Sequence, residues 1–196
     1  MTVLAFLAGY FIGSVPTAGF LGRLRGVDLR AQGSGNPGTA NALRTSGPWL
    51  AVIVLVVEAA KGYLAVSIGS SLGDETGAIA AGFGAVAGNV YNIWYRFQGG
   101  KGLGISLGIL IGLWPAVVLP VLGVIVVGVL ISHSSGIASL LAVAGLVVMG
   151  VAWSRFEWPT GGLAPGSRLV VLAAGMGALI FWKHWRDSPL SARARR

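Results

Sequence analysis

The chain has 196 residues, of which 55% are hydrophobic and 10% are charged, whereas a soluble domain of this size carries about a quarter charged residues. Apolar runs of about twenty residues recur along its length, which excludes an ordinary soluble domain and predicts one all-α integral membrane domain over residues 1–196. The lack of cysteine excludes a disulfide framework and a thiolate metal site. The net charge of +8 comes largely from loops beside apolar runs, which indicates membrane topology rather than nucleic-acid binding.

The apolar runs predict seven membrane-spanning helices. Five of them are continuous runs, which cover residues 3–21, 49–68, 77–95, 137–153 and 167–182. The remaining stretch, residues 103–131, is short for two full spans, but Trp114-Pro115 breaks it in the middle and predicts a hairpin of two short helices. A five-span arrangement, with this stretch as a re-entrant pair, is the alternative.

The charged residues set the predicted orientation. Basic residues follow the first and third runs and crowd the carboxyl-terminal tail, whereas the acidic pair Asp74-Glu75 after the second run has no positive charge beside it. Because positively charged loops stay in the cytoplasm, we expect an external amino terminus and a cytoplasmic carboxyl terminus. The polar, glycine-rich loops then all lie on the cytoplasmic side.

Glycines recur four residues apart along several of the apolar runs. This spacing places them on one helix face, where the absence of side chains lets two backbones approach closely. The glycines concerned are Gly9, Gly13, Gly84, Gly88, Gly104, Gly108 and Gly112. We expect them to pack helices rather than to carry chemistry.

The first cytoplasmic loop contains the stretch AQGSGNPGTANALR, residues 31–44. Gly33-Ser34-Gly35 allows positive φ angles and presents successive N–H groups to an anion. The guanidinium group of Arg44 suits phosphate oxygens. The pattern predicts a backbone cradle for an anion, and a surface turn and the cap of the following helix are the alternatives.

A second glycine-rich stretch, RFQGGKGLG, follows the third predicted span. It offers Lys101 as a point charge, but it is not a Walker A loop because no Ser or Thr follows the lysine. Glu58 and Lys61 lie three residues apart inside the second span, and ionisable residues at membrane depth usually have a function. For these two, a functional role and simple pairing with each other both stay open.

The usual catalytic groups are sparse. The sequence has two histidines, His133 and His184, no GxSxG nucleophile elbow, no HExxH metal helix and six scattered acidic residues. An enzyme of this composition would act through phosphate-binding electrostatics and positioning. Neither a metal nor another cofactor is expected.

Three stretches together resemble the bacterial acyl-phosphate glycerol-3-phosphate acyltransferases, over nearly the whole chain. They are GSVPTAGFLGRLRGVDLRAQGSGNPGTANALRTSG, VVEAAKG and RFQGGKGLG. The resemblance implies seven spans, an external amino terminus and an active site at the cytoplasmic face of the bacterial inner membrane. It also implies a reaction of phospholipid synthesis, in which acyl phosphate and glycerol 3-phosphate give lysophosphatidic acid and inorganic phosphate without a covalent enzyme intermediate.

The resemblance further implies roles for individual residues. The phosphate of the acyl phosphate would be held by the backbone around Gly100 and Gly102 and by three catalytic residues, Ser34, Arg44 and Lys101. The first motif would also contribute Gly33, Gly35, Asn36 and Asn41, the two asparagines mainly by shaping the loop. The residues facing glycerol 3-phosphate would be Ser139, His184 and Asp187.

Four positions depart from the family pattern. They are Asn89 in place of a usual histidine, Gln98 in place of the first lysine of the FKGGKG motif, His133 near a usual arginine, and Asp187 in place of a terminal asparagine. A carboxylate beside a dianionic substrate is unexpected because like charges repel. Two alternatives therefore stay open: a related acyltransferase with another acceptor, and a non-catalytic protein that binds or transports lipid-like anions.

Overall fold

The computed structural model describes residues 1–186, and every regular element in that range is a helix. The longer helices are α1 (Thr2–Ser14), α2 (Thr17–Leu24), α3 (Thr39–Val90), α4 (Leu103–Leu113), α5 (Val118–Ser132), α6 (Ser135–Phe156) and α7 (Ser167–Arg186). Two single-turn 3₁₀ helices cover Ile93–Tyr95 and Pro115–Val117. The predicted all-α class is confirmed for the described residues.

The helices form two compact units, Met1–Gly112 and the residues from Leu113 onward. Within the described part of the chain, four stretches are long and apolar enough to cross a membrane, namely Thr2–Leu24, Thr39–Tyr95, Pro115–Ser132 and Ser135–Phe156. Helix α4 is apolar but has only 11 residues. The number of spans and their orientation stay predictions.

The first apolar run is not the single continuous helix that its composition predicts. Helix α1 ends at Ser14 and α2 begins at Thr17, because Pro16 has no N–H group to continue the hydrogen-bond ladder. Val15 takes an extended conformation, with φ −56° and ψ 121°. The break therefore places the Val15 carbonyl group where a side chain of another helix can reach it.

Helix α3 is interrupted twice within its 52 residues. Gly47, with φ 82°, marks the first break, and Gly73 and Asp74 mark the second. After the second break the chain folds back on itself, since a methyl group at Gly77 would lie 2.2 Å from the carbonyl oxygen of Gly69. The three resulting segments, called first, middle and last below, cover residues 39–46, 48–72 and 75–90.

Close backbone contacts hold the first unit together. Helix α1 packs against the last segment of α3 with its backbone very close. A methyl group added at any of four glycines of this contact would lie 2.0 Å from a carbonyl oxygen of the facing helix. The four are Gly9, Gly13, Gly84 and Gly88. Helix α4 approaches the middle segment equally closely, with 1.8 Å between a methyl group at Gly108 and the Ala59 carbonyl oxygen. The prediction that these glycines pack helices is confirmed, and van der Waals contact between backbones stabilises the unit.

Large apolar side chains lie on the outside of the helices and small residues lie between them. On α5, Leu119 and Ile131 are 78% and 77% exposed, whereas Gly128 packs against Ala138 of α6. In water a surface of this kind would drive aggregation, but lipid tails solvate it as well as a protein interior does. The distribution therefore supports a fold that lies in a membrane.

A buried tryptophan marks the start of the second unit. Trp114 is fully buried and lies edge to face against Trp153 of α6, with 5.6 Å between the ring centroids. Beside it, the Leu163 N–H donates to the Leu113 carbonyl oxygen at 2.7 Å, which ties the loop before α7 to this corner. The predicted break at Trp114-Pro115 is confirmed, since α4 ends just before it.

Replacing Gly84 with alanine tests the backbone packing. The added methyl group would lie 2.0 Å from the Phe6 carbonyl oxygen, so the two helices must separate, and overpacking of this kind costs about 1–3 kcal/mol. We expect a lower midpoint of thermal unfolding in detergent, measured by near-ultraviolet circular dichroism.

Gly123 provides the matched control, because nothing lies within 4 Å of a methyl group added there. Gly123→Ala should leave the midpoint unchanged or raise it slightly, since alanine favours helix more than glycine does. Equal midpoints for the two variants would contradict the packing role of Gly84.

Candidate anion-binding site

The first glycine-rich motif is folded around the side chain of Asn41, which is 1% exposed. Its Oδ1 accepts the Ser34 N–H at 2.8 Å, and its Nδ2 donates to the carbonyl oxygens of Leu29 and Gln32 at 2.8 and 3.0 Å. A buried amide that is satisfied in this way stabilises one loop conformation. Asn41 therefore holds the loop in shape, while Asn36 lies half-buried within it.

Gly33 and Gly35 both adopt left-handed backbone angles, with φ 60° and 70°. Gly33 has no room for a side chain either, since a methyl group there would lie 2.3 Å from Oδ1 of Asn41. Ser34 lies exposed between the two glycines. The predicted positive φ angles are confirmed, and they turn the chain toward the start of α3.

Helix α3 begins at Thr39 with Gly38 as its N-cap residue, and no side chain caps it. The motif therefore does supply the N-cap residue of the following helix, as one alternative predicted, but not a capping side chain. The uncapped N–H groups of the first turn carry the positive end of the helix dipole. Arg44 lies exposed on the next turn, so a cationic side chain and the positive end of the helix dipole occupy the same short segment.

The second glycine-rich motif is tied to Asn89 near the end of α3. The Gly100 N–H donates to the main-chain carbonyl oxygen of Asn89 at 3.0 Å, and the Gly102 N–H donates to its side-chain Oδ1 at 3.1 Å. Gly102 has φ 79°, which the turn into α4 requires. The two backbone groups expected to hold a phosphate are thus bound to Asn89 in this structure.

The two motifs meet where Pro37 approaches Gly100, with 3.5 Å between the Pro37 carbonyl oxygen and a methyl group placed on the glycine. Lys101 follows directly and is half-buried. Among residues 1–186 its ammonium group forms no ion pair. Lys101 therefore offers a positive charge that no carboxylate of the described chain neutralises.

Glu58 lies buried behind the second motif, 6% exposed, and accepts hydrogen bonds from three side chains. Lys61 Nζ donates to the two carboxylate oxygens at 3.0 and 3.1 Å, Asn89 Nδ2 donates at 2.8 Å, and the Thr17 hydroxyl also donates. Lys61 further donates to the Val15 carbonyl oxygen at 2.8 Å, at the break between α1 and α2. Pairing of Glu58 with Lys61 is therefore confirmed, within a larger polar cluster.

Two cavities open beside the motifs. The narrow one, of about 10 Å³, is lined by residues of both motifs and of the polar cluster, including Thr17, Pro37, Glu58, Asn89 and Gly100. The larger one, of about 360 Å³, is lined by Arg30, Trp94, Tyr95, Arg96 and Gln98. The narrow cavity has room for about one water molecule, so it does not enclose a phosphate group.

Ser139 and His184, expected to face glycerol 3-phosphate, lie in the second unit. The Ser139 hydroxyl donates to the Ser135 carbonyl oxygen of its own helix at 2.6 Å. His184 is 7% exposed, and its Nδ1 lies 2.9 Å from the Ile180 carbonyl oxygen, so Nδ1 is the nitrogen that carries a proton. Asp187 lies outside the described residues.

Sequence reasoning missed the contribution of Thr17 and the bridging role of Asn89. A threonine directly after a helix-breaking proline, inside an apolar run, was the available signal for Thr17. The sequence marks Asn89 only as a departure from the family pattern. Its contact with Glu58, 31 positions earlier, depends on the fold-back of α3 at Gly73.

The fold and the site together define a helical membrane protein with two glycine-rich, basic motifs that meet beside a buried ion pair. The sequence profile of the family described as glycerol-3-phosphate acyltransferase matches residues 3–189. The glycerol-3-phosphate acyltransferase of Synechococcus sp. (strain JA-3-3Ab) is 45% identical over 142 residues, which cover 71% of this chain and 70% of that protein. The enzyme of the same name from Brucella suis is 40% identical over 185 residues, covering 94% and 86%.

The fold points to the same group. A crystal structure of PlsY (YgiH), an integral membrane glycerol 3-phosphate acyltransferase in its glycerol 3-phosphate form, is similar with a TM-score of 0.82 at 25% identity, over 100% of this chain and 94% of that one. The class is thus that of the integral membrane acyltransferases. The chain belongs to the glycerol-3-phosphate acyltransferase family.

The tie between Asn89 and the second motif can be tested without substrate. Asn89→Leu keeps the side-chain size but removes the hydrogen bonds to Glu58 and to the Gly102 N–H. Because such a bond contributes about 0.5–1.5 kcal/mol, we expect amide hydrogen exchange over residues 99–102 to become about two- to tenfold faster, measured by mass spectrometry in detergent.

Asn92→Leu is the matched control, since Asn92 bonds to the Ser14 carbonyl oxygen and the Trp94 N–H instead. It should leave exchange over residues 99–102 unchanged. Unaltered exchange in Asn89→Leu, or an equal increase in both variants, would show that Asn89 does not hold the motif.

Proposed function

We propose that the protein transfers an acyl group from an acyl phosphate to the 1-hydroxyl of glycerol 3-phosphate, forming lysophosphatidic acid and inorganic phosphate for phospholipid synthesis. Membership of the glycerol-3-phosphate acyltransferase family supports glycerol 3-phosphate as the acceptor. The observation that supports an acyl phosphate as the donor is the position of Lys101. Its half-buried ammonium group has no ion-pair partner in the described chain and lies where the two glycine-rich motifs meet. Such a position suits the phosphate leaving group of an acyl phosphate.

The chemistry needs little from the protein beyond binding and electrostatics. An acyl phosphate is a mixed anhydride, so its carbonyl carbon is already activated and the acceptor hydroxyl can attack it directly. The carbon–oxygen bond to phosphate then breaks, and the hydroxyl proton passes to a phosphate oxygen. Lys101, Arg44 and Ser34 would hold the phosphate as negative charge builds up on it.

The acceptor site belongs to the proposal as well. Ser139, His184 and Asp187 would bind glycerol 3-phosphate, and the resemblance to the family supports this assignment. The catalytic unit would be one domain, residues 1–196, since the family profile spans residues 3–189.

We also propose seven spans in a bacterial inner membrane, with the amino terminus outside and the active site on the cytoplasmic side. The fold-back of α3 at Gly73 and the break at Trp114-Pro115 support this number of crossings. The clustering of basic residues in the loops of the two motifs supports the orientation.

Orientation can be tested with single cysteines, since the chain has none of its own. In intact cells we expect a membrane-impermeant maleimide to label Asp74→Cys and Pro165→Cys, both at positions predicted to be external. Gln32→Cys, in the exposed first motif, should be labelled only after the membrane is opened. Labelling of Gln32→Cys in intact cells would place the proposed site on the wrong side.

The reaction is tested with purified protein in detergent, given an acyl phosphate and a panel of phosphorylated alcohols. We expect release of inorganic phosphate and formation of lysophosphatidic acid with glycerol 3-phosphate. A preference for another acceptor would favour a related acyltransferase. Binding of acyl phosphate without phosphate release would favour the non-catalytic alternative.

Two variants test the phosphate-binding residues in this assay. Lys101→Ala removes a charge-assisted contact, so we expect kcat to fall at least about tenfold, the equivalent of about 1.4 kcal/mol. Arg44→Lys keeps the charge but loses the planar two-pronged group, so it should also lower activity. Arg25→Lys, the same change at the exposed end of α2, is the control and should retain full turnover.

A further inference from the structure

The larger cavity of the first unit has no part in the proposed reaction. It is lined by the side chains of Arg30, Trp94, Tyr95, Arg96 and Gln98, each of which can donate a hydrogen bond to an anion, and the two arginines add positive charge. No carboxylate of the described part of the chain lines it. Within residues 1–186 neither guanidinium group forms an ion pair, and the carboxylate of the nearby Asp28 accepts the main-chain N–H of Arg30, at 2.9 Å.

A cation–π contact orients Arg30, and the backbone conformation places Arg96. The guanidinium group of Arg30 lies 4.4 Å above the centre of the Tyr95 ring, a favourable cation–π distance. Arg96 and Phe97 both adopt left-handed angles, with φ 52° and 61°, and the Gln98 N–H donates back to the Tyr95 carbonyl oxygen at 3.0 Å. This sharp turn brings Arg96 and Gln98 to the same cavity as Arg30.

The position of the cavity indicates which kind of molecule it binds. It lies at the end of the apolar stretch Thr39–Tyr95, where a membrane-spanning segment leaves the hydrocarbon. Trp94 and Phe97 beside it are 69% and 55% exposed, and exposed aromatic side chains next to arginines are typical of the depth at which lipid headgroups lie. The volume of about 360 Å³ suits a small polar group rather than a protein segment.

We propose that this cavity binds the phosphate headgroup of an anionic membrane phospholipid. Arg30 and Arg96 hold the phosphate from two sides, Gln98 donates a further hydrogen bond, and the acyl chains leave across Trp94 and Phe97 into the bilayer. None of its lining residues is among those proposed to bind acyl phosphate, although Arg96 and Gln98 belong to the second glycine-rich motif. Lipid binding here does not depend on turnover.

Native mass spectrometry of the detergent-solubilised protein tests the proposal, with phosphatidylglycerol and phosphatidylcholine offered together. We expect the protein to retain phosphatidylglycerol selectively. Combined Arg30→Gln and Arg96→Gln should weaken that retention at least about tenfold, because two charge-assisted contacts are lost. A control with the same change in net charge, Arg25→Gln with Arg155→Gln at exposed positions outside the cavity, should retain the lipid as the unchanged protein does.

Each outcome decides the question. Equal loss of lipid in the control would show a diffuse effect of net charge, and retention in the cavity variant would show that the cavity is not the site. Displacement of the lipid by an excess of inorganic phosphate would show a site for a free anion instead. The measurement uses no acyl phosphate, so failure of the proposed reaction and failure of this site are distinguished.

Discussion

A carboxylate buried among membrane helices is the constraint on which the first unit depends. Glu58 can remain charged there only if donors surround it, because burying an unpaired charge costs several kcal/mol. Lys61 supplies the opposite charge, and the Thr17 hydroxyl and the Asn89 amide supply the further donors. These groups come from α2 and from two segments of α3, so satisfying one carboxylate sets the relative positions of three helical segments.

The same cluster gives a glycine-rich loop a defined shape at the end of a membrane helix. Asn89 binds Glu58 with one end of its amide and the Gly102 N–H with the other, and its main-chain carbonyl binds Gly100. A loop that would otherwise be flexible is thereby tied to a buried ion pair. Electrostatic catalysis depends on charges that are in place before the reaction begins, and under the proposed function this arrangement would provide such a position for Lys101.

The features that could be predicted from the sequence are those that depend on a residue's own stereochemistry or on the helical period. The break at Trp114-Pro115, the positive φ angles at Gly33 and the four-residue spacing of the packing glycines are of this kind. The break at Pro16 also depends on one residue's own stereochemistry, but it was not predicted because the apolar run continues on both sides of the proline. The contacts of Asn89 could not be predicted, because they join positions 31 and 13 residues away through a fold-back whose geometry no local pattern specifies.

The glycine contacts of α1 divide its surface into two kinds of position. At Gly9 and Gly13 the carbonyl groups of the facing helix leave no volume for a side chain, so any substitution would force the helices apart regardless of its polarity. Val3 and Leu7 are 74% and 45% exposed, so another apolar residue would serve as well at these positions in a membrane. We therefore expect the exposed apolar positions of α1 to vary most among relatives, and Gly9 and Gly13 to vary least.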